Sequence, residues 1–324
     1  MTTPVRWGIL GAAKFAREHM GPAIHAASGA ELAALATGSQ EKAAAFQAFA
    51  PGLKVHADYD ALLADPGIDA VYVPLPNHMH VEWTLKAIAA GKAVLCEKPI
   101  ALKAEEIDAI IEARDKAGVL AAEAFMIVHH PQWQLVRDWI ANGRIGELVH
   151  VRGAFSFDNS AETGNIRNRA ETGGGALRDI GVYVLGSVRF ATGQEPDEIG
   201  AKIRWDKGID SFAAIEATFP GFTYSSYVSM RMGLYQEMSF HGTTGTIRVT
   251  APFNAGVFGE ARVELHAPGL VVESKRFPSA NHYVLQVQNF GRSLREGVPY
   301  GCSLEFTRGT QVALDRIYDG AVSL

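Results

Sequence analysis

Two pairs of side chains in this sequence have the types and spacing that acid–base chemistry needs. Glu97 and Lys98 follow directly on the apolar run Ala93-Val94-Leu95-Cys96, a position where two charges are hard to explain as solvated surface. Asp179 and Tyr183 stand four residues apart within ETGGGALRDIGVYVLG, so on a helix they share one face and can reach one ligand. The plainer reading of that second pair, a helix start with an interfacial tyrosine, stays open at this level. A third group, Thr37, Gly38, Ser39 and Lys42, offers hydroxyls and an ammonium at the opening of a helix, a set suited to a phosphate. Ser39 capping that helix with Lys42 in solvent is the competing reading, and one residue can do both. An Asp or Glu at the tip of the preceding strand would hydrogen-bond an adenosine ribose 2′-OH and repel a 2′-phosphate; none sits at that tip, which favours NADP over NAD.

A dinucleotide also needs a loop where backbone approaches pyrophosphate. Gly11-x-Ala13-x-x-Ala16 supplies a tight turn at Gly11 and small residues at Ala13 and Ala16, and Ala12 and Phe15 fall in the same loop. PLPNHMH and CEKPIA each follow an apolar run. Ligands of open α/β sheets bind beyond the carboxyl ends of strands, so Leu75, Pro76, Asn77, His80, Glu97 and Lys98 are expected to converge on one crevice. Asn77 reads equally well as a turn residue and helix cap. His78 and His80 are two apart on a turn with no carboxylate or thiolate partner, which argues against a metal.

The elements that must position these residues follow from periodicity. Up to about residue 124, short apolar runs (VRWGIL, ELAALAT, DAVYVPLP, KAVLCEK, VLAAEAF) alternate with helical periods, the pattern of a βαβ series and an open, doubly wound parallel sheet. After Phe125 the runs lengthen and alternate (ELVHVRGAFSF, PDEIGAKIRW, SFAAIEATF, FTYSSYVSM, YQEMSFHG, ARVELHA, VVESKRF), with hairpin signals near Gly245 and at Pro268-Gly269. This predicts a C-terminal α+β domain with a large, mainly antiparallel open sheet. The expected domains are 1–124 and 125–324, with helices near Tyr283–Glu296 and Leu304–Ala321, the last returning to the first domain.

At 324 residues the chain is long enough for two cores. It is 48% hydrophobic and 20% charged, the balance of a folded protein in water rather than of a disordered or fibrous chain. A formal charge of −5 leaves no global basic field for nucleic acid or an anionic membrane. No apolar stretch approaches the ~18 residues of a membrane span, and MTTPVRWGIL lacks a signal-peptide layout, so a cytoplasmic location is expected. Cys96 and Cys302 are too few for a disulfide framework or a thiolate metal site and are expected as buried thiols.

GILGAAKFA, PLPNHMH, CEKPIA, AFMIVHHPQ and GGGALRDIGVY, in this order, resemble the Gfo/Idh/MocA oxidoreductase family over nearly the whole chain. The resemblance implies an N-terminal Rossmann domain and a C-terminal α/β domain whose open sheet mediates homo-oligomerisation, as a homodimer or a dimer of dimers. It assigns Lys98 to the catalytic site, with Asp179 and Tyr183 standing where the commoner pattern has an aspartate and a histidine. Tyrosine there is the pattern of the branch holding glucose-fructose oxidoreductase and the dimeric dihydrodiol (D-xylose) dehydrogenases. Asn165-Ile166-Arg167 resembles that branch's Asn-x-Arg segment, adding Arg167 as a contact for cofactor and substrate. GNIRNRAETGGGALRDIGVY and NHYVLQVQNFGRSL look most like bacterial aldose-aldose oxidoreductases, which implies tightly held NADP recycled between two sugars. Arg178, where an apolar residue is more usual, is expected to alter the sugar pocket.

Oxidising a sugar hydroxyl requires a base and a hydride acceptor held close. Tyr183 is the expected base; a phenol ionises near pH ~10, so a nearby cation must favour its deprotonated form, and Lys98 is the source. Asp179 would orient the sugar, with Arg167, His130 and Tyr283 as further substrate contacts. A freely exchanging D-xylose or trans-dihydrodiol dehydrogenase is the alternative enzyme. An NADP-binding regulator without chemistry is the alternative class, and it should lack one of Lys98, Asp179 or Tyr183.

Overall fold

The computed structural model describes residues 3–324. Six short strands, β1 (Val5–Leu10), β2 (Ala30–Ala36), β3 (Lys54–His56), β4 (Ala70–Val73), β5 (Ala93–Cys96) and β6 (Ala121–Glu123), form a sheet in the order β3-β2-β1-β4-β5-β6. Every neighbouring pair is parallel. The order reverses between β1 and β4, which opens a crevice at the carboxyl edge of the sheet. β4 and β5 are buried at every residue, the reason their sequences read as unbroken apolar runs.

Both faces of this sheet are covered. Leu10, Val71, Val73 and Val94 pack with Ile107 and Ile110 of α5 (Ala104–Ala117) and with Trp83, Ala87 and Ile88 of α4 (His80–Ala89). Trp7, alternate to Leu10 along β1, lies 5.0 Å from the ring of Phe290 on α8 (His282–Glu296). Residues up to Met126 therefore form one compact unit together with His282–Arg308. The second unit is Ile127–Asn281 with Gly309–Leu324, and the division falls inside α9 (Leu304–Gly320). The sequence reading placed a single boundary at 124/125. The apolar stripe of α8 joins the first unit because Val287 and Phe290 are fully buried there.

The second unit holds a nine-stranded sheet. Its strands are β7 (Leu148–Asp158), β8 (Glu198–Asp206), β9 (Ile209–Phe219), β10 (Phe222–Ser229), β11 (Arg231–Gly242), β12 (Thr246–Val249), β13 (Arg262–Ala267), β14 (Val271–Arg276) and β15 (Val322–Ser323). They lie in the order β14-β13-β12-β11-β7-β10-β9-β8-β15. Only β7/β10 and β8/β15 are parallel; the other pairs are antiparallel. The fold is thus α/β, a Rossmann-type parallel sheet plus a mainly antiparallel one. Lys54–His56 and Thr246–Val249 escaped sequence reading because three or four residues are too short for an alternation to register.

The aromatic side chains of β10 differ in burial: Phe222 and Tyr224 are 6% and 2% exposed within the single chain, with Phe222 stacked on Phe219 at 4.7 Å, while Tyr227 is half-buried. Residues two apart share a face, so Thr223 and Ser225 point the other way, where His150 joins both hydroxyls. The exposed large apolar side chains on β7 and β11 are Val149, Met232, Leu234 and Tyr235. Cys96 and Cys302 are both free and buried. Among the described residues no helix is long and apolar enough to cross a membrane.

Candidate active site

β1 ends at Gly11, whose φ of +94° is open to glycine and strained for any other residue. A Cβ there would sit 3.1 Å from both Leu75 and the Tyr59 hydroxyl, so the turn also needs the missing side chain. Ala12 and Ala13 continue it into a π-helical turn, Ala16–Met20, leading to α1 (Gly21–Ala26). A cavity of about 700 Å³ opens beside this turn, lined by Gly11, Ala12, Ala13, Thr37, Gly38, Ser39, Lys42, Leu75 and Pro76. A second, of about 210 Å³, is lined by Ala12, Ala13, Lys14, Arg17, Lys42 and Phe46. Together their linings fit a dinucleotide: small residues beside a helix start, the hydroxyls of Thr37 and Ser39, and the cationic side chains of Lys14, Arg17 and Lys42.

The local chemistry after β2 resolves the two readings of Ser39. Its hydroxyl accepts a hydrogen bond from Lys42 N at 3.3 Å, capping α2 (Gln40–Gln47), and Ser39 N donates to the Thr37 hydroxyl at 3.2 Å. Ser39 therefore caps the helix and lines the cavity at once. Sequence reasoning missed the opposite wall, Asp58, Tyr59, Asp60 and Trp83. Asp58 caps α3 (Tyr59–Leu63) through Ala61 N at 2.7 Å, and Tyr59 meets Trp83 edge-on at 4.8 Å. A helix of five residues leaves no period to read, though Asp-Tyr-Asp is itself a helix-start signal.

Beyond β4 and β5 the loops hold each other. His80 is fully buried, its ring nitrogens each 2.7 Å from a carbonyl, Leu75 on one side and Pro99 on the other. It ties the two loops together and does not face the cavity. Asn77 is half-buried at the start of a 3₁₀ turn, Asn77–Met79. Glu97 and Lys98 are half-buried, with a cis peptide joining Lys98 to Pro99. The Tyr72 hydroxyl donates to Glu97 at 2.6 Å, and Lys98 N donates to the same carboxylate at 3.2 Å. Burial and the neighbouring Glu97 push the Tyr72 phenol well above its ordinary value, so it remains a donor. Phe15 and Tyr283 lie in this unit too, ring to ring at 5.6 Å with His19 between 5.0 and 5.4 Å from each.

In the second unit the three glycines explain the position of Arg167. Gly174 and Gly175 carry backbone N–H groups that donate to the Arg169 and Arg167 carbonyls at 3.0 and 3.1 Å, and a Cβ on Gly174 would strike the Arg167 carbonyl. The 165–169 turn is thereby drawn against the start of a π-helical turn, Leu177–Gly181, in which Asp179 sits. Arg167 Nε donates to Asp179 at 2.7 Å. Asp179 is 8% exposed. Such π-turns recur at functional sites because the extra residue re-aims the side chains that follow. Tyr183 opens the next helix, α7 (Val182–Thr192), 6% exposed, its ring 5.8 and 5.7 Å from those of Phe155 and Phe253.

Arg178 and His130 do other work. The Arg178 guanidinium lies 5.1 Å from the Tyr318 ring, beside Asp210, whose carboxylate accepts Leu177 N at 2.6 Å and the Tyr318 hydroxyl at 2.8 Å. Arg178 therefore belongs to the anchor beneath the π-turn. Asp210, which sequence reasoning also missed, is pushed up to about 6 by burial. His130 is fully buried and caps α6 (Pro131–Ala141), its Nδ1 accepting Gln132 N at 3.1 Å.

His130 gives a stability prediction. Burial holds its ring down to about 4, so the folded protein keeps it neutral while the unfolded chain protonates it near ~6.5. Above that pH the difference contributes nothing; as pH falls toward 4 it destabilises the fold by about 1.4 kcal/mol per pH unit. Buried Glu123 and Asp210 act in the opposite direction, because raised carboxyl values favour the fold as pH falls. The test is therefore the difference between parent and His130→Gln in denaturant melts. Between pH 7.5 and 5 it should move by about 2 kcal/mol in the variant's favour. A pH-independent difference would contradict a neutral, capping His130.

Residues 5–125 match the Gfo/Idh/MocA family model described as an oxidoreductase family with an NAD-binding Rossmann fold, and residues 133–248 match the Gfo/Idh/MocA C-terminal domain. An uncharacterised oxidoreductase of Rhizobium meliloti is 38% identical, covering 98% of this chain and 97% of its own. A D-xylose 1-dehydrogenase (NADP(+)) of Haloferax volcanii is 30% identical over 97% of each. Among solved structures, a variant of a 3-ketoreductase from Actinomadura kijaniata, in complex with TDP-benzene and NADP, superimposes with a TM-score of 0.91 at 28% identity, covering 99% of each chain.

Proposed function

Because the chain belongs to the Gfo/Idh/MocA oxidoreductase family, we propose that it moves a hydride between the C1 hydroxyl of an aldose and NADP. The observation that carries this is the cavity wall after β2, where Thr37, Ser39 and Lys42 stand with no carboxylate at the strand tip. That set favours a 2′-phosphate over a bare ribose. The NADP-dependent D-xylose dehydrogenase among the relatives supports the sugar and the cofactor together.

NADP supplies the hydride acceptor; the chain's own residues supply the rest. Gly11, Ala12 and Ala13 receive the pyrophosphate, and Phe15, Leu75, Pro76, Asn77, Glu97 and Arg167 complete its surroundings. Lys98, Asp179 and Tyr183 are the catalytic residues in this reading. Tyr183 takes the proton of the sugar hydroxyl as the hydride leaves, and returns it in the reverse direction. The Lys98 ammonium favours the deprotonated phenol, and Asp179, fixed by Arg167, orients the sugar. The reading includes tightly held NADP recycled between two sugars, a cytoplasmic setting, and a homodimer or dimer of dimers through the open sheet.

A second reading, reduction of a keto group on a nucleotide-linked sugar, is favoured by the 0.91 superposition on the 3-ketoreductase. Absorbance at 340 nm separates the two. A band that rises when an aldose is added to purified protein without free cofactor supports aldose oxidation with retained NADP. A band that rises only with added NADP supports a freely exchanging dehydrogenase. No rise with any aldose, together with NADPH consumption on a dTDP-ketosugar, supports the ketoreductase.

The cofactor preference has its own test. Thr37→Asp with Lys42→Ala removes a hydroxyl and a cation and adds a repelling carboxylate, each worth about 1.5 kcal/mol at a charged ligand. The NADP:NAD affinity ratio should fall roughly 10³-fold. An unchanged ratio would remove the 2′-phosphate from this wall.

A further inference from the structure

The mechanism above leaves one buried carboxyl without a role. Glu123 closes β6, opposite Cys96 in the ladder, and is 5% exposed. One carboxylate oxygen accepts Ile100 N at 3.0 Å, two residues beyond Lys98 in the same loop. The other accepts the Thr307 hydroxyl of α9 at 3.3 Å, and that hydroxyl also lies 3.6 Å from Cys302 Sγ. A surface acid would leave this loop unanchored, and an apolar residue would leave Ile100 N–H unpaired in the interior.

We propose that Glu123 is a positioning residue for Lys98: it fixes the loop that carries the lysine and adds a negative charge in its neighbourhood. This rests on the reading of Lys98 as catalytic. The charged and titratable groups around Glu123 come from every side of it. They are Cys96 on β5, Glu97 and Lys98 on the loop, and Tyr300 and Cys302 ahead of α9. Burial pushes Glu123 up to about 7; Glu97 adds to the rise, while the Ile100 N–H, the Thr307 hydroxyl and Lys98 oppose it. Below that pH the acid is neutral, and above it a carboxylate whose charge acts on the lysine across the loop.

Glu123→Gln is the test, because glutamine keeps the acceptor for Ile100 N–H, can donate to Thr307, and mimics the protonated acid. NADP affinity should be preserved, and turnover should match the parent at pH 6. At pH 8.5, where the parent carries the charge and the variant does not, turnover should be roughly tenfold lower, about 1.4 kcal/mol in the barrier. A rate reduced by the same factor at every pH, or not reduced at all, would overturn the proposal. Should the glutamine variant fail to fold, Thr307→Val removes only a donor to the ionised carboxyl. The parent's inflection near pH 7 should then move upward, and an unmoved inflection would refute the assignment. Lys98→Ala run alongside separates the two readings. If it retains parent activity, the role of Lys98 falls; if it is inactive while Glu123→Gln tracks the parent at all pH, only the role of Glu123 falls.

Discussion

Lys98→Ala is expected to lower single-turnover hydride transfer by about 10³-fold or more, while the protein folds and NADP binds. Three contacts of the loop around the lysine do not use its ammonium. Glu97 is held by the Tyr72 hydroxyl, Lys98 contributes its backbone N–H to Glu97, and Ile100 N–H is fixed by Glu123. Alanine keeps all three, so the loss is one of charge and not of shape. In the proposed reaction that charge favours a deprotonated phenol and lies in a half-buried setting where an ammonium acts more strongly than in water. Stopped-flow reduction of bound NADP by an aldose measures the step directly. Parent-like rates would show that the lysine only shapes the loop, and would shift attention to Glu97 or a bound water. Lost NADP binding would instead make it a cofactor ligand.

Much of the first unit was legible in the sequence because its strands are buried on both faces. Parallel strands read as apolar runs, and each chemistry-bearing segment begins where such a run stops. Thr37–Lys42, Pro74–His80 and Cys96–Ala101 could be assigned to one edge of one sheet for that reason alone. What the sequence concealed was the purpose of polar residues that face inward. His80 and Glu123 lie beside cofactor-like motifs, and only their partners show that one joins two loops and the other anchors the lysine's loop. Hydrogen bonds to backbone carbonyls and amides leave no trace in spacing.

The second unit was harder for a different reason. Its strand runs could be counted, but which alternate set faces inward depends on register, and a one-residue shift exchanges the faces. Phe222 and Tyr224 are buried, and nothing in their spacing says so. Arg178 is a related case. In a regular helix it would have lain one residue from Asp179 with no assignable direction, and the π-turn directs it to Asp210 and Tyr318 instead. The Asp179–Tyr183 spacing was readable; the aromatic floor of Phe155 and Phe253, contributed by residues far away in sequence, was not.

That aromatic floor makes Tyr183→Phe an unusually clean substitution. The ring is 6% exposed and packed between Phe155 at 5.8 Å and Phe253 at 5.7 Å, contacts that phenylalanine reproduces. Stability and NADP affinity should stay near the parent values, since only the hydroxyl is removed. Turnover should fall about 10²–10⁴-fold, the range for losing a positioned acid–base group. Combined with Lys98→Ala, the loss should be much less than the product of the single losses, because the ammonium acts through the phenol and has nothing to act on without it. The pH dependence discriminates further. The parent rate should rise with pH as the phenol deprotonates, and the phenylalanine variant should lose that limb together with the inflection that Glu123 contributes through Lys98 near pH 7. A Tyr183→Phe protein that reduces its cofactor at the parent rate with the same pH limb would remove tyrosine from the reaction. Strict multiplicativity of the two losses would show instead that Lys98 and Tyr183 act on the substrate independently.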